Sequence, residues 1–426
     1  MIRIFHLGTL LATQTLLSCR DATPKPTDVL VRDSAGVEIV DNLSPAWAPS
    51  DQWTVAPSPR TAIGFDDATQ TGPSDIVSAV RLSDGRIVLA SAQALRLEVY
   101  SANGSLLRTF GRRGTGPGEF GAIRALWRYR GDSLLVFEGG MLRRFHLFDS
   151  EGAFGRTWLA FGADSATRFL IPIEPLPNGD VAVRTMNVLV PSMANRVERP
   201  LTQLVFFDPE WNLHRRLGRF PDTERFIGPG EIFGELFFST DTKFAFSSTR
   251  VYVGMADTSE VRMSSADDTL VRMIRWPARG DPVLPVHVTR EQERRIAWAR
   301  DLYYNMPDLQ KKSIDNGLLP LFRRMPYPAT FPEIGALLTD TEGYLWVLDF
   351  PRIGDEETQV NAPAVFDSTG RWLGRVRLPP RFQLLDIGRD YILGIRRDSL
   401  DVQFVELYDM RRQPQASTAV ESQASR

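Results

Sequence analysis

One pattern governs what this chain can become: a short turn followed by an apolar strand, repeated along most of its length. The copies are "SDGRIVLAS" (83–91), "RGDSLLVFE" (130–138), "PNGDVAVRT" (177–185), "TDTKFAFSS" (240–248), "TEGYLWVLD" (341–349) and "GRDYILGIR" (388–396). Large apolar residues alternating after a Gly or Asp turn are a strand signature. Gly85 and Gly131 stand 46 residues apart, Gly131 and Gly179 48, and Gly343 and Asp390 47. A second strand, running into another turn, follows each copy at a similar distance: "LEVYSANG", "FHLFDSEG", "LVFFDPEW", "EVRMSSAD", "PAVFDSTG" and "VELYDMRR". A period near 47 residues with about four strands per unit is that of a propeller blade. Six copies predict an all-β fold, a six-bladed β-propeller.

Ring closure can be read from the two ends. The sixth copy ends at "YDMRR" and runs into the polar tail 412–426, so its outer strand is missing. Near the start, Asp33-Ser34-Ala35-Gly36 mirrors Asp149-Ser150-Glu151-Gly152 and Asp367-Ser368-Thr369-Gly370, the turns that precede outer strands. The segment around Val37–Val40 is therefore expected to complete the last blade, leaving the ring no open edge. These limits place the propeller at 32–411.

The stretch "FGRRGTGPGEF" (110–120) followed by "GDSLLVFE" resembles the NHL-type repeats, in which a glycine-rich loop and a Phe lead into a strand and a turn. Over roughly 30–411 the chain is similar to six-bladed propeller lipoproteins of bacteria that have no assigned activity. The resemblance implies the fold and is nearly silent on chemistry, since propellers host unrelated functions.

The glycines of that loop do not suit a phosphate. Pro117 stands where GxxxxGK[ST] needs Lys, and the loop joins strand to strand rather than strand to helix. It has siblings instead: "TGPSDI" (71–76), "IGPGEI" (227–232) and "TFPEI" (330–334), sharing Pro, an acid and a large apolar residue. These read as joints between blades. The acids Asp75, Glu119, Glu231 and Glu333 then stand where inner strands begin, and blades three and six carry Arg168 and Arg381 in their place. Two readings stay open. The acids accept hydrogen bonds from nearby backbone N–H groups or pair locally with arginine, or they ring a ligand-binding mouth with two opposed arginines.

Residues 289–324 break the strand rhythm and predict a small helical insertion. Thr289 is placed as its N-cap, with Gln292 completing a capping box. The first helix is expected to stop near Pro307 and a second to run to about Gly317. Such an insertion is a lid or docking surface, or else a cover for an apolar patch.

The address is written at the start. "MIRIFHLGTLLATQTLLSC" has a basic residue, an apolar stretch and the ending Leu16-Leu17-Ser18-Cys19, which resembles a bacterial lipobox. Cys19 is the only cysteine. Residues 1–18 are expected to be removed, Cys19 lipidated, and 19–31 to serve as a tether to the cell envelope. Arg20 rather than Asp at the next position favours the outer membrane. With formal net charge −2 there is no basic footprint for nucleic acid.

Little else carries chemistry. Of the mature chain's histidines, His146, His214 and His287, none pair at metal-ligand spacing, and no HExxH, GxSxG or EF-hand loop occurs. The reading is a membrane-anchored propeller that binds a protein, peptide or glycan of the envelope and carries no cofactor. The alternative is a hydrolase or lyase in the channel, dependent on a divalent cation such as calcium.

Overall fold

The computed structural model describes residues 28–64, 72–73, 75–140, 142–162, 169–185, 195–228, 233–304, 314–352 and 360–412. Six sheets of four or more strands follow one another along the chain. Sheet I runs from its innermost strand Ile76–Arg81 through Ile87–Ser91 and Arg96–Tyr100 to Leu106–Phe110. Sheet II repeats this with Ile123–Tyr129, Ser133–Glu138, Arg144–Phe148 and Phe154–Leu159, and sheet III with Leu170–Pro175, Val181–Thr185, Leu201–Phe207 and Leu213–Pro221. Sheet IV starts at Thr242–Phe246, sheet V at Ala336–Thr339 and sheet VI at Phe382–Ile387.

Packing between these sheets closes a cycle. Val88, Leu97 and Val136 belong to a cluster joining I to II; Phe145 and Val183 join II to III. Phe206 and Phe246 join III to IV, Tyr252 and Phe366 join IV to V, and Trp346 and Ile392 join V to VI. Leu89 and Leu393 bring VI back against I. Middle strands such as Ile87–Ser91 are buried throughout, as strands covered on both faces must be, whereas outer strands such as Leu106–Phe110 are largely exposed. This ring of face-packed antiparallel sheets is a β-propeller.

Two expectations need correction. Val37–Asn42 does not complete sheet VI. It pairs in parallel with Leu270–Arg275, the outer strand of sheet IV, with Glu38 opposite Arg272 and Val40 opposite Ile274. The turn that suggested an outer strand is instead the tip of a separate hairpin. Ala35 and Gly36 both have positive φ, 54° and 82°, as a two-residue hairpin turn requires, and Val29–Ser34 folds back on Val37–Asn42. The first strand thus begins at Val29, inside the stretch expected to be tether. Asn42 fastens the hairpin: its amide donates to the carbonyls of Arg275 and Gly370, and its oxygen accepts from the N–H of Trp372. Sheet VI is completed further along, by Thr54–Val55 and Thr61–Ile63, both antiparallel to Gln403–Arg411. Ile63, 2% exposed, reaches the core between sheets VI and I.

The second correction concerns "TDTKFAFSS". In the other five sheets the corresponding apolar stretch is the second strand, but Thr242–Phe246 is the innermost strand of its sheet. Most of the glycine loop before it lies outside the described residues. Arg225–Ile227 and Phe233–Glu235 leave the ring and form a three-stranded sheet with Arg196–Glu198.

Ring closure is clasped at the end where inner strands finish. Trp53 packs on Trp47 and edge-on to Tyr344, with centroids 5.0 and 4.9 Å apart. The Arg412 guanidinium lies 4.4 Å over Trp53 and meets the Asp340 carboxylate at 2.9 Å. Asp340, fully buried, also accepts from the Trp346 indole and from the N–H groups of Glu342 and Tyr344. One carboxylate thereby ties the last described residue to a turn of sheet V.

Candidate functional site

The loop 111–121 is held by side chains outside it. Glu138, at the end of the second strand of sheet II, is buried and accepts from the Gly121 N–H at 2.7 Å. It also receives Arg144 Nε and His146 Nε2. Arg144 reaches on to the carbonyls of Thr115 and Glu119, at 2.8 and 3.1 Å. His146 has no solvent exposure; with Nε2–H given to Glu138, its Nδ1 accepts from the Thr157 hydroxyl at 3.0 Å. Burial pushes its pKa down, in keeping with a neutral ring. Gly111, at φ 79°, lies where any Cβ would strike the Phe120 ring. The glycines therefore permit a sharp path, and the buried Glu138–Arg144–His146 group pins it.

The sequence-predicted residues fall as follows. Glu119 accepts from the Gly116 N–H at 2.9 Å and from Arg112 at 2.7 Å, and these bonds hold its carboxyl below the usual range. Glu333 accepts from the N–H groups of Arg279 and Gly280. Asp75 is exposed, with φ 50°. Arg381 donates to the Asp398 carbonyl at 2.8 Å and lines a cleft. Cys19, Arg168 and Glu231 lie outside the described residues.

That cleft, of about 660 Å³, opens between sheets V and VI at the end where their inner strands begin. Its walls mix Phe382, Leu384 and Leu348 with Arg381, Arg397 and Gln383. Gly335 is needed at its edge, because a Cβ there would collide with the backbone of Asp349 and Phe350. The neighbouring Leu400, 82% exposed, adds an apolar side chain to the surface beside Arg397 and Asp401. A cleft of this size and composition suits a ligand with an apolar body and polar groups.

The helical segment builds a core of its own with the small three-stranded sheet. The helix Pro285–Tyr304 and the short helix Leu319–Arg324 pack with Phe226, Phe237, Phe238 and Phe331. The helix starts at Pro285, earlier than Thr289. The Thr289 hydroxyl bonds back to the Pro285 carbonyl, and Gln292 reaches the Phe322 carbonyl instead of closing a capping box. Proline needs no partner for an N–H at the first turn, which is why the helix extends that far. Most of the second helix expected at 307–317 lies outside the described residues; from Ile314 a π turn, Ile314–Leu318, leads into the short helix Leu319–Arg324.

The channel holds two carboxyls that the repeat analysis missed. Glu174 and Asp386 sit on the innermost strands of sheets III and VI, each just past a register shift. Burial pushes Glu174 up to about 7, opposed only by a bond from the Phe246 N–H. Burial also raises Asp386, opposed by the Tyr391 hydroxyl at 2.9 Å and by the charges of Arg128 and Arg81. Arg81 lies 4.5 Å over the Tyr391 ring. The available signal was an acid flanked by apolar residues inside an inner strand, "IEP" and "LDI".

Among the described residues no group of three or more His, Cys, Asp and Glu side chains is placed to hold a metal ion. His214 Nε2 lies 3.3 Å from Asp180, and His287 accepts from the Leu284 N–H. No helix among them is long and apolar enough to cross a membrane.

No protein-family model matches the chain, and no curated protein does. Solved structures do. A putative exported protein from Bacteroides fragilis is 10% identical, with 88% of this chain and 100% of that one covered at a TM-score of 0.46. A member of the DUF4221 family from Bacteroides vulgatus is 10% identical, covering 85% and 99% at 0.49. The calcium-binding protein regucalcin from Agrobacterium tumefaciens is 13% identical, covering 84% and 97% at 0.39. These are likenesses of fold.

Proposed function

We propose that this chain is an exported, lipid-anchored propeller of six blades that binds an envelope protein, peptide or glycan in the cleft between sheets V and VI. The observation that carries the reading is the cleft itself: about 660 Å³, lined by Phe382, Leu384 and Leu348 together with Arg381, Arg397 and Gln383. Gln383 and Arg397 stand on strands and Arg381 is tied to the Asp398 carbonyl, so binding there needs little reorganisation. The leader supports the address, since Cys19 ends an apolar stretch and no other cysteine competes for the role.

The cleft is tested by filling it. Gln383 is exposed on an inner strand, and Gln383→Trp adds bulk without touching the core. On peptide and glycan arrays the wild-type protein is expected to retain a defined set of ligands, and the variant to lose at least tenfold in signal with unchanged melting. Undiminished binding by the folded variant overturns the site. The address is tested separately: Cys19→Ser is expected to move the protein from the membrane pellet to the soluble fraction. Continued pelleting would remove the anchor and leave the cleft untouched.

A further inference from the structure

The hairpin that strays to sheet IV leaves an open edge. Val29–Ser34 is the last strand of that sheet, and among the described residues no strand pairs with its outer side. Its register with Val37–Asn42 is unbroken, from Val29 opposite Asn42 to Ser34 opposite Val37. It holds no Pro and no bulge, and its charges are confined to Arg32 and Asp33. Leu30 and Val31 are 51% and 59% exposed.

The outward backbone groups can be identified. The Leu43 N–H donates to the Asp28 carbonyl, so positions 28 and 43 form a hydrogen-bonded pair. Bonded and non-bonded pairs alternate along an antiparallel ladder. Asp28, Leu30, Arg32 and Ser34 therefore bond inward, and Val29, Val31 and Asp33 present N–H and C=O groups outward. Against a second, antiparallel copy of the same edge, one register satisfies all of them: Val31 opposite Val31, and Val29 opposite Asp33 on either side. That register makes six hydrogen bonds. It sets the two Val31 side chains together on one face, with Val29 of each copy opposite Asp33 of the other. It also places Arg32 of each copy diagonal to Asp28 of the other; within one chain Arg32 meets Asp41 at 3.1 Å and Asp28 meets Arg371 at 2.6 Å.

We propose that the Val29–Ser34 edge pairs with the same edge of a second copy, continuing sheet IV across a twofold axis centred on Val31. The short length ahead of the edge favours this occupant. Only eight residues separate Cys19 from Asp28. Two anchored copies would hold their edges close to one membrane plane, where a small contact gains from high effective concentration. That gain rests on the anchor proposed above; the register does not.

Cross-linking tests both. In the hydrogen-bonded register Cα atoms of position 31 stand about 5.5 Å apart, a spacing a disulfide spans. In the full-length protein in its membrane, Val31→Cys is expected to give at least tenfold more disulfide-linked dimer on mild oxidation than Arg32→Cys, whose partner position is Leu30. Equal yields at both positions, no adduct, or an adduct of another mass overturns the proposal. The purified Cys19→Ser, Val31→Cys protein should form the same dimer when oxidised at raised concentration and little of it when diluted before oxidation. Absence of that dimer overturns the register whatever the anchor does, and failure of the anchor alone shows only in fractionation.

Discussion

Replacing Glu138 with alanine is expected to destabilise the protein by about 3–5 kcal/mol, the cost of stripping a buried ion pair of one partner. The Arg144 guanidinium would lose its buried counter-charge, the Gly121 N–H its acceptor, and His146 the group that sets its tautomer. The damage should be local before it is global. With Arg144 unpaired, its bonds to Thr115 and Glu119 weaken, and the loop 111–121 should become open to limited proteolysis. Glu138→Gln keeps the shape and one of the two acceptor oxygens but not the charge, and should fall between wild type and the alanine variant. Equal urea midpoints for wild type and the alanine variant would show that the joint stands without its pin.

The second large effect concerns pH. The Glu174 carboxyl has an ordinary value of 4.5 and is pushed up to about 7 by burial. Below 4.5 it is protonated in folded and unfolded chains alike. Between 4.5 and 7 the unfolded chain gives up the proton more readily, so stability falls as pH rises, and above 7 the loss is complete. At about 1.4 kcal/mol per unit, the full loss has an upper bound of about 3 kcal/mol. Glu174→Gln should remove this slope, matching wild type near pH 4 and exceeding it above pH 7. Urea unfolding of both proteins across that range decides the matter; parallel curves would mean that the channel solvates this carboxyl.

Turns and strands were legible for one reason. Turn chemistry and strand alternation are local, and "SDGRIVLAS" or "TEGYLWVLD" makes its hairpin wherever the ring places it. The slip at "TDTKFAFSS" shows the limit of that locality. Its pattern is that of any buried strand, and only pairing with Arg250–Met255 and packing against sheet V reveal it as innermost. The site was less legible. The recurring acids caught attention because they recur, yet Glu119 and Glu333 bond to nearby loop groups, and Arg381 reaches the cleft because sheet V stands beside it.

The sequence by itself determined the strand repeat, the turns, the helical insertion and the all-β class, because each depends on residues a few positions apart. Tertiary structure alone decided that Val37–Asn42 joins sheet IV, that Thr61–Ile63 completes sheet VI, and that Glu174 holds its proton near neutrality. Which edge a free hairpin finds, and how much water a carboxyl keeps, are set by neighbours far away in the chain.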